Sequence, residues 1–125
     1  MGNRAVIYIE GQNTGIYMHW NGGRDSVEPL LQVAKEYGIR GDDYGTARLT
    51  QIIGNTLGGT LSLGVSSLDR LDTDNYDNGT YVINDKFEIV DRRYMHNSEQ
   101  TSTPSEHDAF VKYIHSKNDE VFKEN

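Results

Sequence analysis

Two runs, Ala5-Val6-Ile7-Tyr8-Ile9 and Ile16-Tyr17-Met18-His19-Trp20, most restrict how this chain can fold. Both are β-branched and aromatic, and Gly11-Gln12-Asn13-Thr14-Gly15 between them is turn chemistry, so they predict a hairpin with a five-residue loop. Large apolar groups fall on both faces. At least one of the two strands must therefore lie inside a sheet that is covered on both sides.

The second strand runs into Asn21-Gly22-Gly23, and a helix start follows at once. Ser26 is the expected cap, Pro29 falls in the first turn, and Val27, Leu30, Leu31, Ala34 and Tyr37 form one stripe. Gly38 and Ile39 fit a glycine C-cap with its hydrophobic contact. Asp42 or Asp43 starts a second helix with Leu49, Ile52, Ile53 and Leu57 inward, ended by Gly58-Gly59. Leu61-Ser62-Leu63-Gly64-Val65 alternates as a strand with one buried face. Thr80 to Ile83 and Lys86 to Val90 read as a second hairpin across Asn84-Asp85, extending through Asp91-Arg92-Arg93-Tyr94.

Thr103-Pro104-Ser105-Glu106 combines a capping box with proline at the first helical position, a strong helix start. Phe110, Tyr113, Ile114 and Val121 are the expected buried stripe of that last helix. The order ββααβββα predicts an α+β fold, with a mostly antiparallel sheet of about five strands and helices on one face. The expected organisation is a domain over 1–95, a polar linker over 96–103, and a helix over 104–125. That helix is expected to pack on its own domain or on a second copy, the latter giving a homodimer.

At 125 residues the chain has single-domain length. It contains no cysteine, which removes a disulfide framework, a thiolate metal site and a thiol nucleophile. No apolar run is long enough to cross a membrane and no secretory segment opens the chain, so the expected location is cytoplasmic. The net charge of −7 argues against direct nucleic-acid binding by counterion release. Between Asp69 and Asp91 seven acids meet only Arg70 and Lys86, a net of −5 in under a fifth of the length.

Two constellations carry candidate function. Asp69, Asp72, Asp74 and Asp77, with Tyr76 and the acid-flanked Tyr44, make an acidic, tyrosine-bearing surface suited to a protein partner with a basic surface, such as a nucleic-acid-binding groove. In the alternative, His19, Asn21, Gly22, Gly23 and Arg24 form a strand–turn–helix anion site for a nucleotide or similar ligand, with backbone N–H groups at a helix start and a guanidinium beside them. Neither a phosphate-loop nor a dinucleotide fingerprint accompanies it. The acidic loop misses the EF-hand pattern, since Asp77 stands where glycine is required and Ile83 where the bidentate glutamate belongs. His19, His96, His107 and His115 share no metal-ligand spacing, and no catalytic motif is present. No metal, cofactor or catalytic residue is therefore expected.

Gly2-Asn3-Arg4-Ala5, the segment His19-Trp20-Asn21-Gly22-Gly23, then Leu61-Ser62-Leu63-Gly64-Val65 and Asp77-Asn78-Gly79-Thr80-Tyr81-Val82 together resemble a group of small bacterial and phage-encoded proteins. The resemblance covers roughly residues 2 to 90 and brings no reaction or cofactor with it. It implies a phage or prophage accessory protein that binds and blocks a host protein, such as a host-defence component.

Overall fold

A computed structural model describes residues 3–57 and 63–122. The first hairpin forms from β1 (Ala5–Ile9) and β2 (Thr14–Met18), in antiparallel register with Val6 opposite Tyr17 and Tyr8 opposite Gly15. The second strand begins two residues earlier than its apolar run implies, because Gly11 takes φ 89° and Gln12 donates its N–H to Ile9 O, closing a shorter turn. His19 and Trp20 consequently fall beyond the strand end, and Trp20 is exposed.

Next come α1 (Arg24–Glu36), α2 (Asp43–Leu57), β3 (Leu63–Ser67), β4 (Thr80–Ile83), β5 (Ile89–Arg93) and α3 (Pro104–Phe122). The five strands lie in the order β3-β2-β1-β4-β5. Three neighbouring pairs are antiparallel and one, β1 with β4, is parallel. The fold is thus α+β with a mixed sheet, and β1 and β2 are both interior.

Ala5, Ile7, Ile9, Ile16, Met18, Tyr81 and Ile83 share the face that packs against the helices, where Val27, Leu30, Leu49, Ile52, Ile53 and Ile114 complete the core. Val6, Thr80 and Val82 are buried on the opposite face. The chain between β3 and β4 has to pass that face, because the two strands are separated by β2 and β1. Leu68 and Leu71 of this crossing press on Gly15, where a Cβ would sit 2.9 Å from Leu68 Cδ2. The acidic segment is therefore the lid of the second face, which explains how both faces of the first hairpin are covered.

Several local expectations are corrected. α1 begins at Arg24 with Gly23 at its N-cap, three residues before the expected cap Ser26, whose N–H donates to Gly23 O. Its end is as expected: Gly38 at φ 70°, with Ile39 N–H on Ala34 O and Gly38 N–H on Lys35 O. β3 is displaced to Leu63–Ser67, while the expected strand residues Leu61 and Ser62 and the Gly58-Gly59 helix stop lie outside the described residues. β5 starts at Ile89 because Asn84 Oδ1 accepts the N–H groups of Lys86 and Glu88, folding Lys86 to Glu88 into the turn.

α3 starts with the expected reciprocal box, Thr103 N–H on Glu106 Oε1 at 2.8 Å and Glu106 N–H on Thr103 Oγ1 at 3.2 Å. It lies on α1 and α2 of its own domain. Its buried residues are Val111, Ile114, Asn118 and Phe122, whereas Tyr113 and Val121 are exposed. Asn118 breaks the apolar pattern in the sequence yet is fully enclosed. It donates to Thr56 Oγ1 and Ile114 O and accepts from Asn55 Nδ2, so burial leaves none of these groups unsatisfied. The segment over 96–103 runs as a strap on the domain, held by Glu99 and Gln100. Among the described residues no helix is long and apolar enough to cross a membrane.

Candidate functional site

The acidic crossing is organised by one buried side chain. Asn75 Oδ1 accepts the N–H groups of Asp77 and Gly79 at 3.1 and 2.9 Å, while its Nδ2 donates to Asp72 O and Gly79 O. This fixes the turn around Tyr76 and leaves that tyrosine in left-handed backbone at φ 62°, with 70% of its surface exposed. Its ring rests on His96 at a centroid distance of 4.8 Å, and His96 Nε2 is 2.8 Å from Asp74 Oδ1. The N–H groups of His96 and Asn97 both donate to Asp77 O, tying the start of the strap to the loop.

A second exposed tyrosine in left-handed backbone, Tyr94 at φ 59°, stands in the turn that carries His96, beside exposed Met95. Gly79, itself at φ 67°, lets the Arg93–Tyr94 backbone approach more closely than any side chain would permit. Left-handed backbone costs a bulky L-residue about 1–2 kcal/mol. Phe87 also adopts it, but Phe87 is buried in the core, and burial accounts for its position. No such burial accounts for Tyr76 or Tyr94. One corner of the molecule therefore holds Tyr76, Tyr94, Met95, His96 and the Asp74 carboxylate.

The structure divides the expected acidic surface. Asp72 and Asp74 keep half-exposed side chains near this corner. Asp77 instead points inward: its Oδ2 accepts from Arg4 Nε at 2.7 Å and from Arg4 N–H at 3.1 Å, and it is 5% exposed. The Arg4 hydrogen bond holds its carboxyl below the usual aspartate value. Asp77 is thus a structural anchor, unable to face a partner. Asp69 is exposed in the short 3-10 turn Leu68–Arg70, next to Asn13 at the opposite end of the sheet from Arg4. Tyr44 is also remote, at the start of α2 under the Arg40 guanidinium. Glu88 and Asp91 are paired with Lys35 and Arg93. The charge-rich stretch is not one continuous face, because a loop that crosses a sheet must send its carboxylates to different sides and ends.

The glycine turn is closed on itself. Gly22 is buried, its N–H donates to Asn3 O at 2.8 Å, and its carbonyl accepts the Tyr81 hydroxyl at 2.7 Å. The Gln100 side chain and the Asp25 carboxylate crowd Gly23 at the start of α1. Arg24 is taken by Glu28 at 2.9 Å and Glu99 at 3.3 Å. His19 Nδ1 is 2.8 Å from the Tyr17 hydroxyl, and Asn21 is exposed in left-handed backbone. Among the described residues, the two clefts that include Arg24 have neither Gly22 nor Gly23 in their walls. A cleft of about 380 Å³ beside Arg24 is lined by Glu28 and Glu88 as well as Lys35, a mixed wall that offers an anion no net attraction.

Asn75, Tyr94, Met95 and His96 are corner residues that sequence reasoning did not single out. A signal existed in Asn75, whose position ahead of Asp77-Asn78-Gly79 suits an Asx-type loop. Nothing local places His96 against Tyr76. The chain matches no protein-family model, no curated protein and no solved structure.

Proposed function

We propose that this protein is a recognition module that docks a partner protein at the Tyr76–Tyr94 corner. The observation that carries the reading is the pair of exposed tyrosines held in unfavourable backbone conformations, one of them seated on a histidine that is itself fixed by a carboxylate. Backbone strain retained at an exposed site, away from the core, is a feature of functional positions. Tyrosine presents a large amphipathic ring at low entropic cost, and here the ring is already positioned before binding. Asp74, fixed against the His96 ring on which Tyr76 rests, favours a partner segment bearing lysine or arginine, with charge acting mainly on the association rate, while Asp72 is shared with Arg4. The sequence resemblance to phage-encoded proteins favours a partner in a bacterial host, where occlusion of a basic groove would block a defence protein.

The test is co-purification of a bacterial partner with tagged wild type, with Tyr76→Gly and with Asp74→Asn. Tyr44→Ala serves as a control lying outside the surface. Loss of the partner with the first, weaker capture with the second at low salt, and no change with the control is the expected result. Equal capture by wild type and Tyr76→Gly overturns the reading.

A further inference from the structure

The two edges of the sheet are guarded very differently. β5 carries Asp91, Arg92 and Arg93, and its pairing with β4 is interrupted by a register shift at Val82/Ile83. Charges and irregular pairing are what keep an exposed edge from recruiting another strand. β3, at the other edge, is Leu-Gly-Val-Ser-Ser with no charge and no proline. It runs in unbroken register with β2 over five consecutive residue pairs, from Leu63 opposite Met18 to Ser67 opposite Thr14. Among the described residues nothing pairs with its outer side.

Val65, at the middle of β3, is 51% exposed although it lies opposite fully buried Ile16 on the helix-bearing face. α2 does not reach over it. Between them runs an open groove of about 460 Å³ whose walls include Thr46, Ala47 and Thr50 of α2 with Val65 itself.

We infer that β3 is the contact between two copies of this chain, paired antiparallel across a two-fold axis centred on Val65. In that arrangement Leu63 meets Ser67 of the second copy, Gly64 meets Ser66, and Val65 meets Val65. The strand is self-complementary: its outward backbone donors and acceptors pair with their own counterparts, and β3 itself brings no charge to the contact, the one acid of the groove being Asp43 on its α2 wall. The two Val65 side chains become cross-strand neighbours over the groove and cover each other's exposed half. A foreign strand could form the same backbone bonds, but the bare sequence offers no charge by which to select one. A second copy needs no such selection. The area available to a five-residue edge is below that of a standard interface, so association in roughly the micromolar range is expected. The inference concerns a different edge of the sheet from the tyrosine corner and stands independently of it.

Sedimentation equilibrium on the full chain tests it. Wild type should move from 14.1 kDa towards twice that mass as concentration rises through the micromolar range. Val65→Lys and Val65→Glu should each remain monomeric, since each places like charges together at the axis. An equimolar mixture of the two should regain the doubled mass, which shows that both variants are folded and that Val65 faces Val65. Val65→Thr, which keeps the β-branched shape, should dimerise as wild type does. A wild type that stays monomeric overturns the inference, as does a dimer indifferent to Val65→Lys. Capture of another protein's strand by monomeric wild type, lost in Val65→Lys, overturns it too and assigns the edge to a foreign partner.

Discussion

The Arg92 guanidinium lies over the Tyr81 ring, 3.8 Å from its centroid, with the ring below it fully buried. From there Arg92 Nη1 reaches both oxygens of Glu99, at 2.6 and 2.8 Å, and Nη2 donates to Asn78 O. Glu99 also meets Arg24, so one carboxylate of the strap joins the end of β5 to the start of α1. Burial opposes ionisation of Glu99, but the hydrogen bonds from the two arginines prevail and keep its pKa below the ordinary value.

Removing this carboxylate leaves a mostly buried guanidinium with no anionic partner, only the Asn78 carbonyl and the face of the Tyr81 ring. Glu99→Ala is expected to lower stability by about 2 kcal/mol, because a mostly buried charge that has lost its carboxylate is the costly outcome, eased here by the Tyr81 ring. Glu99→Gln, which still offers an acceptor, should lose less. Urea unfolding midpoints of the three proteins check both statements, and equal midpoints for Glu99→Ala and wild type would show that the strap is not held here.

Tyr76→Gly relieves left-handed backbone at an exposed position. Its thermal midpoint should be no lower than that of wild type: relief of about 1 kcal/mol is set against the greater freedom of glycine in the unfolded chain and the lost His96 contact. Partner binding should nevertheless fall by more than about tenfold, as expected for an aromatic anchor. Calorimetry and a binding titration on the same preparation separate the two effects. A variant that is less stable and binds normally contradicts both.

His115 links α3 to α1, with Nε2 2.7 Å from Glu36 Oε1 and Nδ1 3.0 Å from Asp119 Oδ1, and Tyr37 stacks edge-on to its ring. Burial lowers the pKa of this imidazole, but the two carboxylates outweigh it and the net shift is upward. The folded state therefore binds the proton more tightly than the unfolded chain. Its contribution is complete below about 6.5, the ordinary histidine value, and is lost as pH rises through the raised folded value. The urea midpoint should thus fall across the neutral range towards alkaline pH, and His115→Gln should flatten that slope. An unchanged slope in the variant rules out this source.

Gly22→Ala should cost about 2–3 kcal/mol through overpacking, since a Cβ there would press on the Asn3 carbonyl and the Ala5 side chain. The reason is close approach of two chain segments, since Gly22 is not among the residues with positive φ. Faster hydrogen exchange of the amide at position 22 than in wild type should accompany the drop, because its bond to Asn3 O is the one displaced.

The sequence by itself determined what depends on neighbours a few residues apart. The Gly38 cap, the Thr103–Glu106 box, the stripe from Val27 to Ala34 and the first hairpin each follow from spacing and turn chemistry that act within one or two turns of chain. Tertiary structure alone decided the rest. The parallel pairing of β1 with β4 joins residues more than seventy positions apart and has no local signature. Phe122 is buried while Val121 is not, because α3 turns its Asn118 edge to Thr56, and a buried asparagine reads as solvent-facing until its partners are known. Asp77 and Asp74 are alike in sequence. Arg4 draws one inward and the His96 ring holds the other at the surface, and those two partners lie on either side of the acids along the chain, far from them in sequence. A carboxylate's role is set by which partner meets it and whether water is excluded there, and both are properties of the packed molecule.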